Sequence, residues 1–280
     1  MTPIPISAFA DEITPNFEDQ LIALQQLGID YISLRLVNDK NIIDYTIDEV
    51  KSYIKPLLDQ YNIRVSSIGS PIGKVDIYDK EAVQKQFDKM DNLIQICQVL
   101  KVKYIRIFSY YNASDTDKEL VLEYLHKLIT YTDNTDIYLL HENEKPIFGD
   151  TAEKCLYLAE NIDNPHFQLI FDPANFVQVG QDPIIAFDML KRYVKYLHLK
   201  DALSVDSSNV LIGSGDAKVQ QIVRECIYKG DVSFMTLEPH LVEFTGLELL
   251  ENEPRKKLNS VYTPFKAFEE SLEALRTMMK

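Results

Sequence analysis

Positive charge is scarce in this chain. Its 280 residues carry 29 Lys and Arg against 43 Asp and Glu, a formal charge of −14. So acidic a surface repels phosphate backbones and anionic headgroups, which excludes a general nucleic-acid or membrane-surface role. Cysteine is sparse as well: Cys97, Cys155 and Cys226 cannot all pair, and their wide spacing suits no zinc cluster. No apolar run approaches the roughly 18 residues of a membrane-spanning helix. The opening Met1-Thr2-Pro3-Ile4-Pro5 lacks the basic stretch and apolar core of a secretory signal, so a cytoplasmic protein is the expectation. What the chain does have is the apolar fraction of an ordinary globular protein, 46%.

Short β-branched or aromatic runs alternate with longer segments of helical periodicity. Eight strand candidates emerge: residues 4–9, 30–35, 64–68, 103–109, 136–141, 167–171, 194–199 and 232–237. Between them lie one-sided apolar stripes, such as Phe17, Leu21, Leu24 and Leu27, or Val83, Phe87, Met90, Ile94 and Cys97. Eight repeats over this length average about 35 residues, the size of one βα unit. The turn after the first strand, Ala8-Phe9-Ala10-Asp11-Glu12, contains no glycine. An open dinucleotide-binding sheet would carry a glycine-rich turn there. The expectation is therefore a single (β/α)8 barrel over residues 1–280, with 240–263 as a loop or small insertion before the last helix.

Barrel enzymes place their chemistry at the carboxyl ends of the strands. The fifth to eighth candidates end in Glu142, Asp172, His198 and Glu238, each directly after an apolar run where a charge needs a partner. Any one of them alone has an ordinary explanation; Asp172 or Glu142 could simply cap the next helix. Four at successive strand ends fit a divalent cation with mixed oxygen and nitrogen ligands. Mn²⁺, Mg²⁺ or Co²⁺ suit such a set better than Zn²⁺, which stays an alternative. Lys200 shares the strand parity of His198, and Arg35 and Lys74 are further anion-binding candidates. His240 is a candidate substrate contact, and Tyr110 and Tyr111 stand where they could line a pocket. His141 faces the other side of its strand and is expected to pack under a helix.

These residues resemble the xylose isomerase-like TIM-barrel superfamily, in its sugar phosphate isomerase/epimerase branch. The resemblance spans essentially the whole chain. It rests on Phe9-Ala10-Asp11-Glu12, the run from Ser66 to Lys74, Glu142-Asn143, Phe171-Asp172-Pro173-Ala174-Asn175, His198-Leu199-Lys200-Asp201, Gly213-Ser214-Gly215-Asp216 and Leu237-Glu238-Pro239-His240. It implies one divalent ion, commonly manganese, on Glu142, Asp172, His198 and Glu238, with Glu142 and Glu238 also acting as acid/base groups. Asn175 falls among the substrate-binding candidates with Arg35, Lys74, Lys200 and His240. Two departures stand out. Ser33-Leu34-Arg35 replaces a frequent Glu-Leu-Arg, and Glu142-Asn143-Glu144 replaces Glu-Asn-His, which makes Glu144 a rival ligand.

The implied activity is a metal-dependent sugar isomerase or epimerase. A carboxylate would move a proton next to a carbonyl that the metal polarises. Alternatives are an inosose dehydratase-like lyase, an apurinic-site endonuclease-like nuclease and a non-catalytic sugar-binding barrel. Five histidines and the acidic charge argue against the nuclease. The charge favours a neutral sugar or polyol-like ligand unless Arg35, Lys74 or Lys200 answers an anion. No nucleic-acid or membrane partner is expected, and a homodimer is left open.

Overall fold

A computed structural model describes residues 4–244 and 261–280. Its eight principal strands are β1 (Ile6–Ala8), β2 (Tyr31–Leu34), β3 (Arg64–Ile68), β4 (Tyr104–Ile107), β5 (Tyr138–Glu142), β6 (Phe167–Phe171), β7 (Val194–Leu199) and β8 (Phe234–Leu237). All neighbouring pairs run parallel and the ring closes, with β8 beside β1 and β1 beside β2. Parallel strands need helical crossovers, and every predicted strand overlaps an observed one. The fold is a single (β/α)8 barrel. The predicted irregular stretch 240–263 is described only at its two ends; residues 245–260 lie outside the described residues.

Alternation along each strand divides the interior in two. Ile105, Leu139, Leu169, Phe171, Leu197, Met235 and Leu237 face the helices and join the large outer core. Leu140, Ile170 and Tyr196, with Tyr104, Tyr138 and Phe234 packed on them, fill the lower barrel. Beside them runs a chain of buried hydroxyls. Ser7 Oγ lies 2.6 Å from Ser66 Oγ and Ser33 Oγ 2.7 Å from Ser67 Oγ. Tyr196 donates to Ser66 at 2.8 Å and receives from Thr236 at 2.8 Å.

The helices begin and end where side chains satisfy their free backbone groups. Asn16 caps Phe17–Leu27, and Gly28 closes that helix at φ 66, in the turn read from the sequence before the second strand. Thr151 and Thr263 cap Ala152–Ile162 and Pro264–Met278. The stripe from Val83 to Cys97 is buried as expected, but it is carried by two helices, Lys80–Asp88 and Met90–Leu100. The junction is a tightened turn in which the Lys89 N–H bonds Gln86 O, three residues back.

Candidate active site

Strand parity delivers the polar groups to one end of the barrel. Arg106 in β4, Glu142 at the end of β5, Asp172 just past β6, His198 in β7 with Lys200 beyond it, and Glu238 past β8 share the parity of Leu140, Ile170 and Tyr196. Glu142, Asp172, His198 and Glu238 are each at most 3% exposed. Such burial is tolerable only if each charge is met.

His198 is the centre of the first group. Its Nδ1 lies 2.7 Å from Glu142 Oε1 and 3.3 Å from Glu238 Oε2. Burial pushes this imidazole down, but Glu142 and then Glu238 outweigh it and raise the ring to about 9. Burial likewise pushes Glu142 up, and His198 with Arg106 outweighs it, leaving the carboxyl at about 2. Arg106 Nη1 donates to Glu142 Oε2 at 3.1 Å. Asp172 sits beside this group rather than in it. Its Oδ1 caps the helix Pro173–Gln178 by accepting from the Ala174 and Asn175 N–H groups, and its Oδ2 lies 3.0 Å from Lys200 Nζ. Burial raises Asp172 to about 6 against the pull of Lys200.

A second group is built on Arg35. Its Nε donates to Asp11 Oδ2 at 2.7 Å, Nη2 to Glu12 Oε1 at 3.4 Å and Nη1 to Glu238 Oε1 at 3.0 Å. The guanidinium lies over the Phe9 ring, 4.3 Å from its centroid. Gly69 makes that stack possible, since a Cβ there would fall 2.7 Å from the Phe9 ring. His240, held at φ 49, places Nε2 3.3 Å from Glu12 Oε1 and 3.2 Å from Glu238 Oε1, while its backbone N–H donates to Glu12 Oε2.

All the predicted substrate-binding residues reach one small cavity. Arg35, Lys74, Asn175, Lys200 and His240 line it together with Arg106, Glu142, Glu144 and Glu238. Its free space, about 10 Å³, is the room of one water. The rival ligand Glu144 does not join the group of Glu142, His198 and Glu238, and pairs with Lys74 at 2.6 Å. Tyr110 does not line the cavity: its ring packs edge-on against Tyr124 at 5.3 Å. His141 faces outward as expected, its Nε2 2.9 Å from Ser109 Oγ. Arg106, Asp11 and Glu12 were not singled out as site residues from the sequence. Arg106 left a signal there, a charge inside an otherwise apolar strand.

The loops hold these groups in place. Gly73 sits at φ 90 against the Phe108 carbonyl, where a Cβ would come within 2.1 Å, and so delivers Lys74 to the mouth. Backbone bridges join Asp76 to Tyr111 and Tyr111 to Ile147, linking the loops after β3, β4 and β5. After β7 a small ribbon, Asp201–Ala202 with Asn209–Val210, hangs from the Asp201 carboxylate, which accepts the N–H groups of Gly213, Gly215 and Ala217.

The donor set fits a divalent ion. Glu142, His198 and Glu238 each offer an atom within 4.8 Å of the others, and among the described residues His198 Nε2 and Glu238 Oε2 have no hydrogen-bond partner. Two carboxylates with an imidazole match the oxygen and nitrogen preferences of Mn²⁺ or Mg²⁺-like ions. Glu12, Glu238 and His240 are equally close together, but the Arg35 guanidinium already supplies positive charge there.

A family model described as the xylose isomerase-like TIM barrel matches residues 21–277. Among curated proteins, a 3-dehydroshikimate dehydratase of Bacillus anthracis is 22% identical over 208 residues, covering 70% of this chain and 73% of that protein. Among solved structures, a D-allulose 3-epimerase from Methylomonas sp. superposes with a TM-score of 0.77 at 14% identity, over 98% of both chains. A xylose isomerase-like TIM-barrel protein from Mycobacterium smegmatis, in complex with magnesium, gives 0.71 at 14% identity over 99% and 98% of the two chains.

Proposed function

The chain belongs to the xylose isomerase-like TIM-barrel family, and from that premise we propose that it is a divalent-metal-dependent isomerase or epimerase of hydroxylated carbonyl compounds. The observation that carries this reading is His198 Nδ1 between two carboxylates, Glu142 at 2.7 Å and Glu238 at 3.3 Å. These three residues, with Asp172 alongside, would hold Mn²⁺ or a similar ion. Such an ion, when bound, polarises a substrate carbonyl and acidifies the adjoining C–H.

The chain's own groups complete the chemistry. Glu142 and Glu238 stand at the ends of β5 and β8, with β6 and β7 between them, so each approaches a bound substrate from its own side. One removes the proton; the other returns it. Return to the opposite face inverts the carbon, and return to the neighbouring carbon exchanges aldose and ketose. Arg106 and Arg35 hold the two carboxylates in place, and burial keeps competing water out. A dehydratase is the second reading. It is favoured by the four cations lining the cavity and by the activity named for the Bacillus relative.

The test is label uptake from deuterated water by Mn²⁺-loaded protein offered ketoses, keto-acids and inososes, with metal content measured in parallel. Glu142→Gln and Glu238→Gln are expected to lose exchange while keeping the wild-type near-UV CD. Wild-type exchange in either variant refutes that residue's role as base. Three bound zinc ions would indicate a nuclease, and no metal affinity a binding module.

A further inference from the structure

The amino ends of the strands border a second and larger cleft, at the opposite end of the barrel from Glu142, His198 and Glu238. Its volume is about 640 Å³, within the range of small-molecule sites. Tyr31, Arg64, Tyr104 and Phe234 are the first residues of β2, β3, β4 and β8, and the helix Lys55–Gln60 and the turn after Met90–Leu100 form its sides. The floor is aromatic. Tyr31 meets Phe234 edge-on at 4.9 Å and Tyr104 meets it at 6.4 Å, and all three rings are half-buried. The rim is cationic: Lys55, Arg64, Lys101 and Lys103 stand there, with Asp59 the one carboxylate among the lining residues. Lys55 pairs with Asp59, and Lys103 with Asp136 at 2.8 Å. Arg64 lies over the Tyr31 ring at 4.2 Å, and neither it nor Lys101 forms an ion pair among the described residues. Two unanswered cations in one cleft stand out on a chain whose net charge is −14.

We infer that this cleft binds a small planar ring bearing a phosphate, at a site separate from the catalytic end. A flat ring covers the apolar area of Tyr31, Tyr104 and Phe234 that now faces water, and such stacking is open to any ring with a π-face. The phosphate supplies the counter-charge that Arg64 and Lys101 lack, and the Arg64 guanidinium offers it two parallel donors. Either half alone leaves a surface unmatched: an uncharged ring does not answer the cations, and inorganic phosphate leaves the aromatic floor wet. No residue lining the cleft belongs to the group of Glu142, His198 and Glu238, so its occupancy does not depend on the metal or on the proposed enolising activity.

Calorimetric titration of the full chain tests this with two ring phosphates, adenosine 5′-monophosphate and phenyl phosphate, beside adenosine, phenol and inorganic phosphate as their separate halves. At least one ring phosphate should bind about tenfold or more tighter than inorganic phosphate and than its own dephosphorylated ring, the value of one charge-assisted hydrogen bond. Arg64→Gln and Lys101→Gln should each weaken that ligand by about tenfold, and Arg64→Lys by less. Both side chains are exposed, so the thermal midpoint of these variants should match wild type. Lys74→Gln, at the catalytic mouth, should leave the affinity as it is. Absence of binding by both ring phosphates, equal affinity for inorganic phosphate, full affinity in both Arg64→Gln and Lys101→Gln, or a loss in Lys74→Gln that those two variants do not show each overturns the inference.

Discussion

Arg35 at the end of β2 reaches past β1 to Glu238 at the end of β8, Nη1 to Oε1 at 3.0 Å. The same guanidinium meets Asp11 and Glu12, so three buried carboxylates depend on one side chain. Removing it leaves Asp11 without its cationic partner, and Glu12 and Glu238 with histidines alone, in a medium that solvates charge poorly. Arg35→Met is expected to cost on the order of 3–5 kcal/mol in urea unfolding. Arg35→Lys should recover little, because one ammonium cannot direct donors to three separated carboxylates. Near-wild-type stability of the lysine variant would show that charge alone suffices.

Metal loading should stabilise the fold by mass action, since the unfolded chain does not gather Glu142, His198 and Glu238. The thermal midpoint is expected to rise with added Mn²⁺ and fall back with chelator. His198→Gln should abolish the response, whereas Glu144→Gln should keep it. A response that disappears with Glu144 instead would make that residue the ligand.

Gly73→Ala confronts both a φ of 90 and a carbonyl oxygen 2.1 Å from the new Cβ. The expected loss is about 2–4 kcal/mol.

Burial holds His141 at about 4, the pull of Glu142 notwithstanding, whereas an unfolded chain titrates near 6.5. Between these values the unfolded state binds more protons, so stability is full above pH about 6.5 and falls as pH drops towards about 4. The group accounts for about 2 kcal/mol of the loss by pH 5. In metal-free protein, His141→Gln should therefore lose less stability than wild type between pH 7.5 and pH 5. Equal losses would place the titrating group elsewhere.

Burial pushes all three thiols up, Cys226 to about 12, and each is buried. A thiol reagent at neutral pH should label none in the native chain within minutes and all three in denaturant. Rapid native labelling at Cys226 would mean that its helix, Val219–Lys229, opens locally.

The barrel was legible because parallel strands buried on both faces read as continuous apolar runs, and because their spacing matches one βα unit. The expected strands begin one or two residues ahead of the hydrogen-bonded ladder at Ile4, Asp30, Lys103, Asp136 and Val232, because the residue types there do not mark where the ladder starts. The four strand-end groups were legible for a related reason, since a charge after an apolar run stands out. Asp172 shows the limit: from sequence its capping and ligand roles compete, and the structure shows the cap while leaving Oδ2 turned to Lys200. The Arg35 group was hidden because its partners lie as far as 203 residues apart, and no local pattern encodes such a contact. Tyr110 misled because proximity to a strand end says nothing about the left-handed backbone, φ 71, that accompanies its packing against Tyr124.

The backbone bridges among Asp76, Tyr111 and Ile147 bear on how this site can diversify. Three loops that share main-chain bonds inherit change as a block, because an insertion in one misaligns the other two. The ribbon after β7 takes no part in those bridges: the Asp201 carboxylate holds it, and Gln178 Nε2 tethers it by donating to Ser207 O and Asn209 Oδ1. Among descendants of this chain, new substrate preferences should therefore arise by lengthening or reshaping the ribbon side, while the wall carrying Lys74 and Glu144 is retained or replaced whole.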